Sequence, residues 1–203
     1  MAPYCPVSHK LAVGLSLIGL FLSALTVSIP CKADEVTADA IITALKGYKT
    51  RSLAKARPEA TAAFPRLREI RKTRGLTMQE REEVFKVSME LPQINLRILF
   101  KFDSDEVQPK GMNTLKEVAR ALKSKDLSGK SFVIAGHTDR KGAPDYNIDL
   151  SLRRAEAVKR ILVADGIDAD TIATVGFGFE QLANKKDAYA AENRRVQFVK
   201  WSD

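Results

Sequence analysis

Ser131-Phe132-Val133-Ile134-Ala135-Gly136-His137-Thr138-Asp139 decides the fold. Phe132 to Ala135 are apolar without alternation, the pattern of a strand buried on both faces. His137 to Asp139 then turn polar, which puts a loop at the carboxyl end of that strand, where ligand contacts concentrate. Upstream, Leu115, Val118, Ala119 and Leu122 fall at i, i+3, i+4 and i+7, one stripe of a helix. Downstream, Leu150 to Asp165 reads as a second helix with Ala155, Val158, Ile161 and Leu162 inward. Asp149 or Ser151 is expected to cap its start and Gly166 its end.

Three further strands complete the pattern. Ile94, Leu96, Ile98, Phe100 and Phe102 alternate with Asn95, Arg97, Leu99 and Lys101, which predicts a strand with one buried face. Thr171 to Val175 and Val196 to Trp201 supply the other two. Strands alternating with helices argue for a layered α/β domain over residues 92–203, β-α-β-α-β-β in order, with helices packed on one side of the sheet.

Two segments precede this domain. Lys10 is followed by an uncharged, apolar run from Leu11 to Cys31, which breaks at Pro30 and becomes polar at Lys32, Asp34 and Glu35. That is the grammar of a secretory signal over 1–33, with cleavage expected after Ala33 or, as a second choice, after Ala24. The alternative is an uncleaved membrane anchor, since about 20 apolar residues span a bilayer. A lipid on Cys31 fits poorly, because Pro30 stands where a small residue is usual. Each reading exports the chain. Cys5 and Cys31 are the two cysteines, so a mature chain beginning after the leader carries no thiol, no disulfide and no CxxC zinc site.

Residues 34–91 read as a basic, partly helical or disordered connector. Ile41, Ile42 and Leu45 lie on one side of a two-turn helix, and Gly47, Pro58 and Pro65 prevent a longer one. Between Lys46 and Arg74 stand ten basic residues (46, 49, 51, 55, 57, 66, 68, 71, 72 and 74) against Glu59 and Glu69. Such a run is a solvated, self-repelling linker or a contact for anionic lipid headgroups. Thr77-Met78-Gln79-Glu80 has capping-box spacing and starts a short helix, with Val84, Phe85 and Met89 on its apolar side and Pro92 after its end.

The polar residues of the domain gather where strands end and helices begin. Gly136-His137-Thr138-Asp139 closes one strand, and Tyr146-Asn147 through Leu150-Ser151-Leu152-Arg153-Arg154-Ala155 enters the next helix. One βα loop separates Asp139 from Arg154, so the two can face a common site. An acid and a base held apart can read a zwitterion: the carboxylate accepts from an ammonium and the guanidinium clamps a carboxylate. On spacing alone, an Asp–Arg ion pair that stabilises the loop is an equal alternative.

These motifs, with Phe100-Lys101-Phe102-Asp103-Ser104-Asp105, Gly176-Phe177-Gly178 and Asn193-Arg194-Arg195-Val196, resemble the OmpA-like peptidoglycan-binding family over roughly 93–201. The resemblance implies non-catalytic binding of a peptidoglycan stem peptide, with diaminopimelate contacted by Asp139 and Arg154. It implies supporting contacts from Asn147, Asp103 and Arg194. It also implies a periplasmic or outer-membrane-associated place in a Gram-negative envelope, or the wall anchor of a membrane-anchored motor-stator or secretion assembly. The family often has proline after its Gly-x-Gly turn, where this chain has Glu180-Gln181-Leu182, so the 176–190 loop is expected to differ.

Other functions fit less well. His9 is the only other histidine besides His137, and it lies in the leader, which excludes a multi-histidine metal site. No Gly-x-Ser-x-Gly is present for a Ser–His–Asp hydrolase, so His137 reads as a structural residue at a strand end. The net charge of +8 permits nucleic-acid binding, but the interleaved aromatic and basic residues of a single-strand binder are missing. No cofactor or metal is expected, and the oligomeric state is not legible.

Overall fold

The computed structural model describes residues 36–47, 65, 67 and 76–202. The leader, and most of the basic 46–74 run, lie outside the described residues. In chain order the elements are α1 (Ala38–Lys46), α2 (Met78–Met89), β1 (Gln93–Leu96), α3 (Pro109–Leu122), β2 (Ser131–Gly136), α4 (Pro144–Ala164), β3 (Ile172–Gly176) and β4 (Val196–Ser202). The sheet runs β1-β4-β2-β3. β2 and β3 are parallel and joined by α4, whereas β4 lies antiparallel between β1 and β2.

Side chains alternate across this sheet and feed two cores. Phe132, Ile134, Ile172, Val196 and Phe198 pack with Leu115, Val118 and Leu122 of α3 and Ala155, Val158 and Leu162 of α4. Val133, Ala135, Val175, Val199 and Trp201 form the second core. Because both faces are covered, β2 carries the uninterrupted apolar run that marks it in the sequence.

The described parts of the 34–91 segment belong to these cores. Ile41 and Leu45 of α1 are fully buried in the first. The helix is capped by Thr37 and tied to α3 by Ala38 N–H donating to Glu117 Oε2 at 3.1 Å. Leu67 and Leu91 join the second core, with Leu76, Val84, Phe85 and Val87 packed against it. Thus α3, α4 and α1 share one side of the sheet, and α2 covers the other. The capping box of α2 is formed: Glu80 Oε2 accepts from Thr77 N–H at 2.8 Å and Thr77 Oγ1 accepts from Glu80 N–H at 3.3 Å. Met89 is exposed, so the apolar side of α2 ends at Val87.

Two expectations need correction. The strand expected through Phe102 pairs in the sheet only over Gln93–Leu96. Ile98 remains buried, but Phe102 is 92% exposed. Beyond Leu96 the chain has no sheet neighbour among the described residues and closes its own hairpin, with Lys101 N–H donating to Glu106 O and Gln108 N–H to Leu99 O, both at 2.8 Å. Asp103, at φ 52°, makes its turn, a conformation that Asp tolerates better than most residues.

The second helix starts at Pro144, six residues before Leu150, so Asp149 and Ser151 lie inside α4 and neither caps it. Proline at the first helical position has φ preset for the helix and leaves one orphan N–H fewer, so the helix starts there without a side-chain cap. Asp149 instead pairs with Arg153 at 3.0 Å. Ser151 Oγ donates to Ile148 O and accepts from Gly178 N–H at 2.9 Å. Gly166, at φ 92°, ends the helix as expected.

Close contact between α4 and the strand ends positions the site. A Cβ on Gly136 would stand 2.0 Å from Ser151 O, and one on Gly176 would stand 2.5 Å from Ile148 O. Glycine at both positions lets the first turns of α4 lie directly on the carboxyl ends of β2 and β3.

Candidate functional site: a charged cleft at the strand ends

Three pieces of chain meet over those strand ends. The β2–α4 loop brings Thr138 and Asp139, the first turns of α4 bring Tyr146, Asn147 and Arg154, and the 99–108 hairpin brings Phe100 and Asp103. With Arg194, which precedes β4, they enclose a cleft of about 530 Å³. All five residues singled out in the sequence (Asp139, Arg154, Asn147, Asp103 and Arg194) line it. Thr138 N–H donates to Gly178 O at 2.8 Å and Arg140 N–H to Ala188 O at 3.0 Å, which anchors the loop to the 176–194 segment.

Both carboxylate oxygens of Asp139 are engaged. Its Oδ1 accepts from Lys141 N–H at 3.0 Å and its Oδ2 from Arg194 Nη1 at 2.6 Å. The ion pair in this cleft is therefore Asp139–Arg194, while Arg154 stands apart from both. Arg154 Nε donates to Ser104 O at 2.9 Å, and its guanidinium lies 4.9 Å from the centre of the Phe100 ring. Burial lowers its pKa from the ordinary value, with the charges of Tyr146 and Asp103 acting the other way. Arginine remains cationic under these conditions. Among the described residues, its Nη nitrogens make no hydrogen bond or ion pair.

Asn147 supports the site from beneath. It is buried, and its Nδ2 donates to Lys141 O at 2.9 Å and to Ala143 O at 3.1 Å, which holds the 139–143 loop over the helix. Tyr146 hydroxyl donates to Asp103, fastening the hairpin to α4. That bond is the largest cause of the raised Tyr146 pKa.

His137 is absent from the cleft lining. It is buried, bonded through Nε2 to Gln197 Oε1 at 3.1 Å, and stacked on Phe177 with centroids 5.3 Å apart. Burial, then the nearby charge of Arg195, pushes its pKa down to about 3, so it is neutral at physiological pH.

Sequence reasoning missed the Asp139–Arg194 pair and the use made of Glu180. That residue accepts from Arg81 Nη2 at 2.8 Å and Nε at 3.1 Å, pinning α2 to the 176–190 loop. The available signal was Glu180 itself, an acid where proline is usual. Arg81, 99 residues away, carried none.

Comparison with known proteins adds the relationships. The model of the OmpA family matches residues 99–195. A peptidoglycan-associated lipoprotein of Pseudomonas aeruginosa is 39% identical over 103 residues, covering 50% of this chain and 60% of that protein. One from Pasteurella multocida is 34% identical over 102 residues, covering 49% and 67%. The crystal structure of the peptidoglycan-associated lipoprotein from Burkholderia pseudomallei is 35% identical, covers 50% of this chain and 86% of that one, and has a TM-score of 0.44. The chain spans about 60% of the length of the first curated relatives it matches.

Proposed function

Because the chain belongs to the OmpA family, we propose that its 92–203 domain binds peptidoglycan without cutting it and tethers an envelope component to the wall. The ligand is the stem peptide, read at the zwitterionic end of diaminopimelate. Asp139 accepts from the ammonium, and Arg154 clamps the neighbouring carboxylate with its planar fork. Asn147 holds the loop that carries Asp139, and Arg194 orients its carboxylate. Asp103 sets the hairpin wall through Tyr146. No step in this reading makes or breaks a covalent bond.

The observation that carries the reading is the convergence of Asp139 and Arg154 on one cleft, with the Nη nitrogens of Arg154 uncommitted among the described residues. The names of the relatives, peptidoglycan-associated lipoproteins and outer membrane protein A, point the same way and to the cell envelope. One such site need not bind tightly. The wall presents the stem peptide many times, and repeated weak contacts combine through effective concentration. The basic 46–74 run, on this reading, gives reach and a second hold on anionic headgroups.

Co-sedimentation of the purified protein with isolated sacculi tests this. Asp139→Ala and Arg154→Ala should each lower binding by roughly tenfold or more, the loss expected for one charge-assisted contact. Circular dichroism should show both variants folded. Normal pelleting of both variants would remove the site assignment, and failure of the parent to pellet would remove the function.

A further inference from the structure

A second, smaller pocket of about 160 Å³ adjoins the cleft and shares Phe100, Arg154 and Arg194 with it. Its lining also includes Arg97, Arg195 and His137, and no carboxylate side chain. Four arginines thus line a space sized for one small anion. Arg194 is matched by Asp139. Arg97, Arg154 and Arg195 have no ion pair among the described residues. Arg195 donates from Nε to Asn95 Oδ1 and from Nη2 to Gln181 O, both at 3.0 Å, while its Nη1 is buried without a partner.

Gathering like charges around a small space is costly unless an anion offsets them. Bidentate guanidinium donors suit a carboxylate or phosphate rather than chloride. Beside the pocket, His137 is held neutral by burial and then by the charge of Arg195, and burial alone brings Arg195 down to about 10. The shared wall sets the two spaces side by side, within reach of one ligand longer than a single residue.

We propose that this arginine pocket binds a second free carboxylate of the same stem peptide whose zwitterionic end occupies the cleft. The inference rests on the stem-peptide reading and deepens it: the domain reads an ammonium, its carboxylate and one further acid together. Peptides in which that further acid has become a carboxamide are poorer ligands. Arg97, exposed and outside the cleft, is the residue whose loss removes the preference without touching the cleft.

Calorimetry of the full chain with a soluble stem peptide tests this, each free acid outside the zwitterion being amidated in turn. The parent should bind the free-acid peptide roughly tenfold more tightly than one of its amides, the low end of a charge-assisted contact. Arg97→Gln should erase that preference and leave the affinity for the amide unchanged. Equal affinity of the parent for all peptides would overturn the inference while leaving the cleft reading intact. So would equal weakening of acid and amide by Arg97→Gln. If no peptide binds, the cleft reading itself fails, and with it this source of the anion. A titration with inorganic phosphate, followed at the Arg195 Nε–H by nitrogen-15 NMR, separates the sources. Saturable phosphate shifts combined with indifference to peptide amidation would assign the pocket to a free anion and overturn the stem-peptide proposal.

Discussion

Glu180 and Arg194 belong to one stretch of chain between β3 and β4, yet the ion pairs they make are built for opposite ends. Arg81–Glu180 is closed. Two nitrogen–oxygen contacts join the groups, Leu76 O takes the remaining Nη1 of Arg81 at 2.9 Å, and the side chains are 11% and 27% exposed. Arg194–Asp139 is open on its cationic side, with one contact, an arginine that is 46% exposed and an aspartate that is 14% exposed. A bidentate pair around a nearly buried arginine satisfies its donors and fixes packing, whereas a single contact to an arginine that reaches solvent contributes less to stability and can be shared with a ligand. The same chemistry therefore clamps α2 on one side of this stretch and leaves the proposed binding cleft open on the other.

Breaking the closed pair should have the largest effect. Glu180→Ala leaves the Arg81 guanidinium nearly buried without its counter-charge, which should cost roughly 2–3 kcal/mol in denaturant unfolding. Asp139→Ala, the matched change at the open pair, should cost about 0–1 kcal/mol and be felt in wall binding instead. Equal stability losses in the two variants would erase the distinction between the pairs.

The closed region also holds the pH-sensitive group. In the unfolded chain His137 takes up its proton near 6.5, whereas in the fold it stays neutral down to about 3. Below 6.5 the unfolded state binds the extra proton, so stability is complete above that pH and falls as pH drops toward 3. At pH 5.5 the loss from this group should be about 1 kcal/mol. His137→Gln should flatten that part of the stability profile without changing the pH dependence of wall binding. An unchanged slope in the variant would place the acid sensitivity elsewhere.

What the sequence made legible follows from how local each cause is. β2 was read to its bounds because burial on both faces writes a continuous apolar run; of α3 the inward stripe from Leu115 to Leu122 was legible because it faces a single core, but not the start at Pro109. The start of α4 was hidden. Pro144 to Asp149 is polar and looks like loop, and the helix is set there by a proline at its first position and by glycines on two strands beneath it. The covering of the second core by α2 was hidden too, since its contacts depend on Phe177 and Trp201, far along the chain. The five candidate residues converged because their motifs sit at strand ends and a helix entry. Which acid pairs with which base was not legible, for Asp139 and Arg194 lie 55 residues apart.

The smallest expected effect lies on the open side, at the hairpin wall of the cleft. Tyr146 and Asp103 are both exposed, so the bond between them adds little to stability, yet it is one of the contacts that tie the hairpin to α4, with Arg154–Ser104 and Arg160–Asp105. The carboxylate accepts the phenolic proton, and removing that proton would set two negative groups side by side. Both effects raise the Tyr146 pKa. Asp103→Asn keeps a residue that tolerates positive φ while deleting the charge. Tyr146 should then titrate closer to the ordinary tyrosine range, with the unfolding midpoint unchanged and wall binding modestly weakened as the hairpin loosens. A Tyr146 titration followed by NMR that does not move in this variant would show that the hairpin is held against α4 by Arg154–Ser104 and Arg160–Asp105 without Asp103, which would drop out of the site.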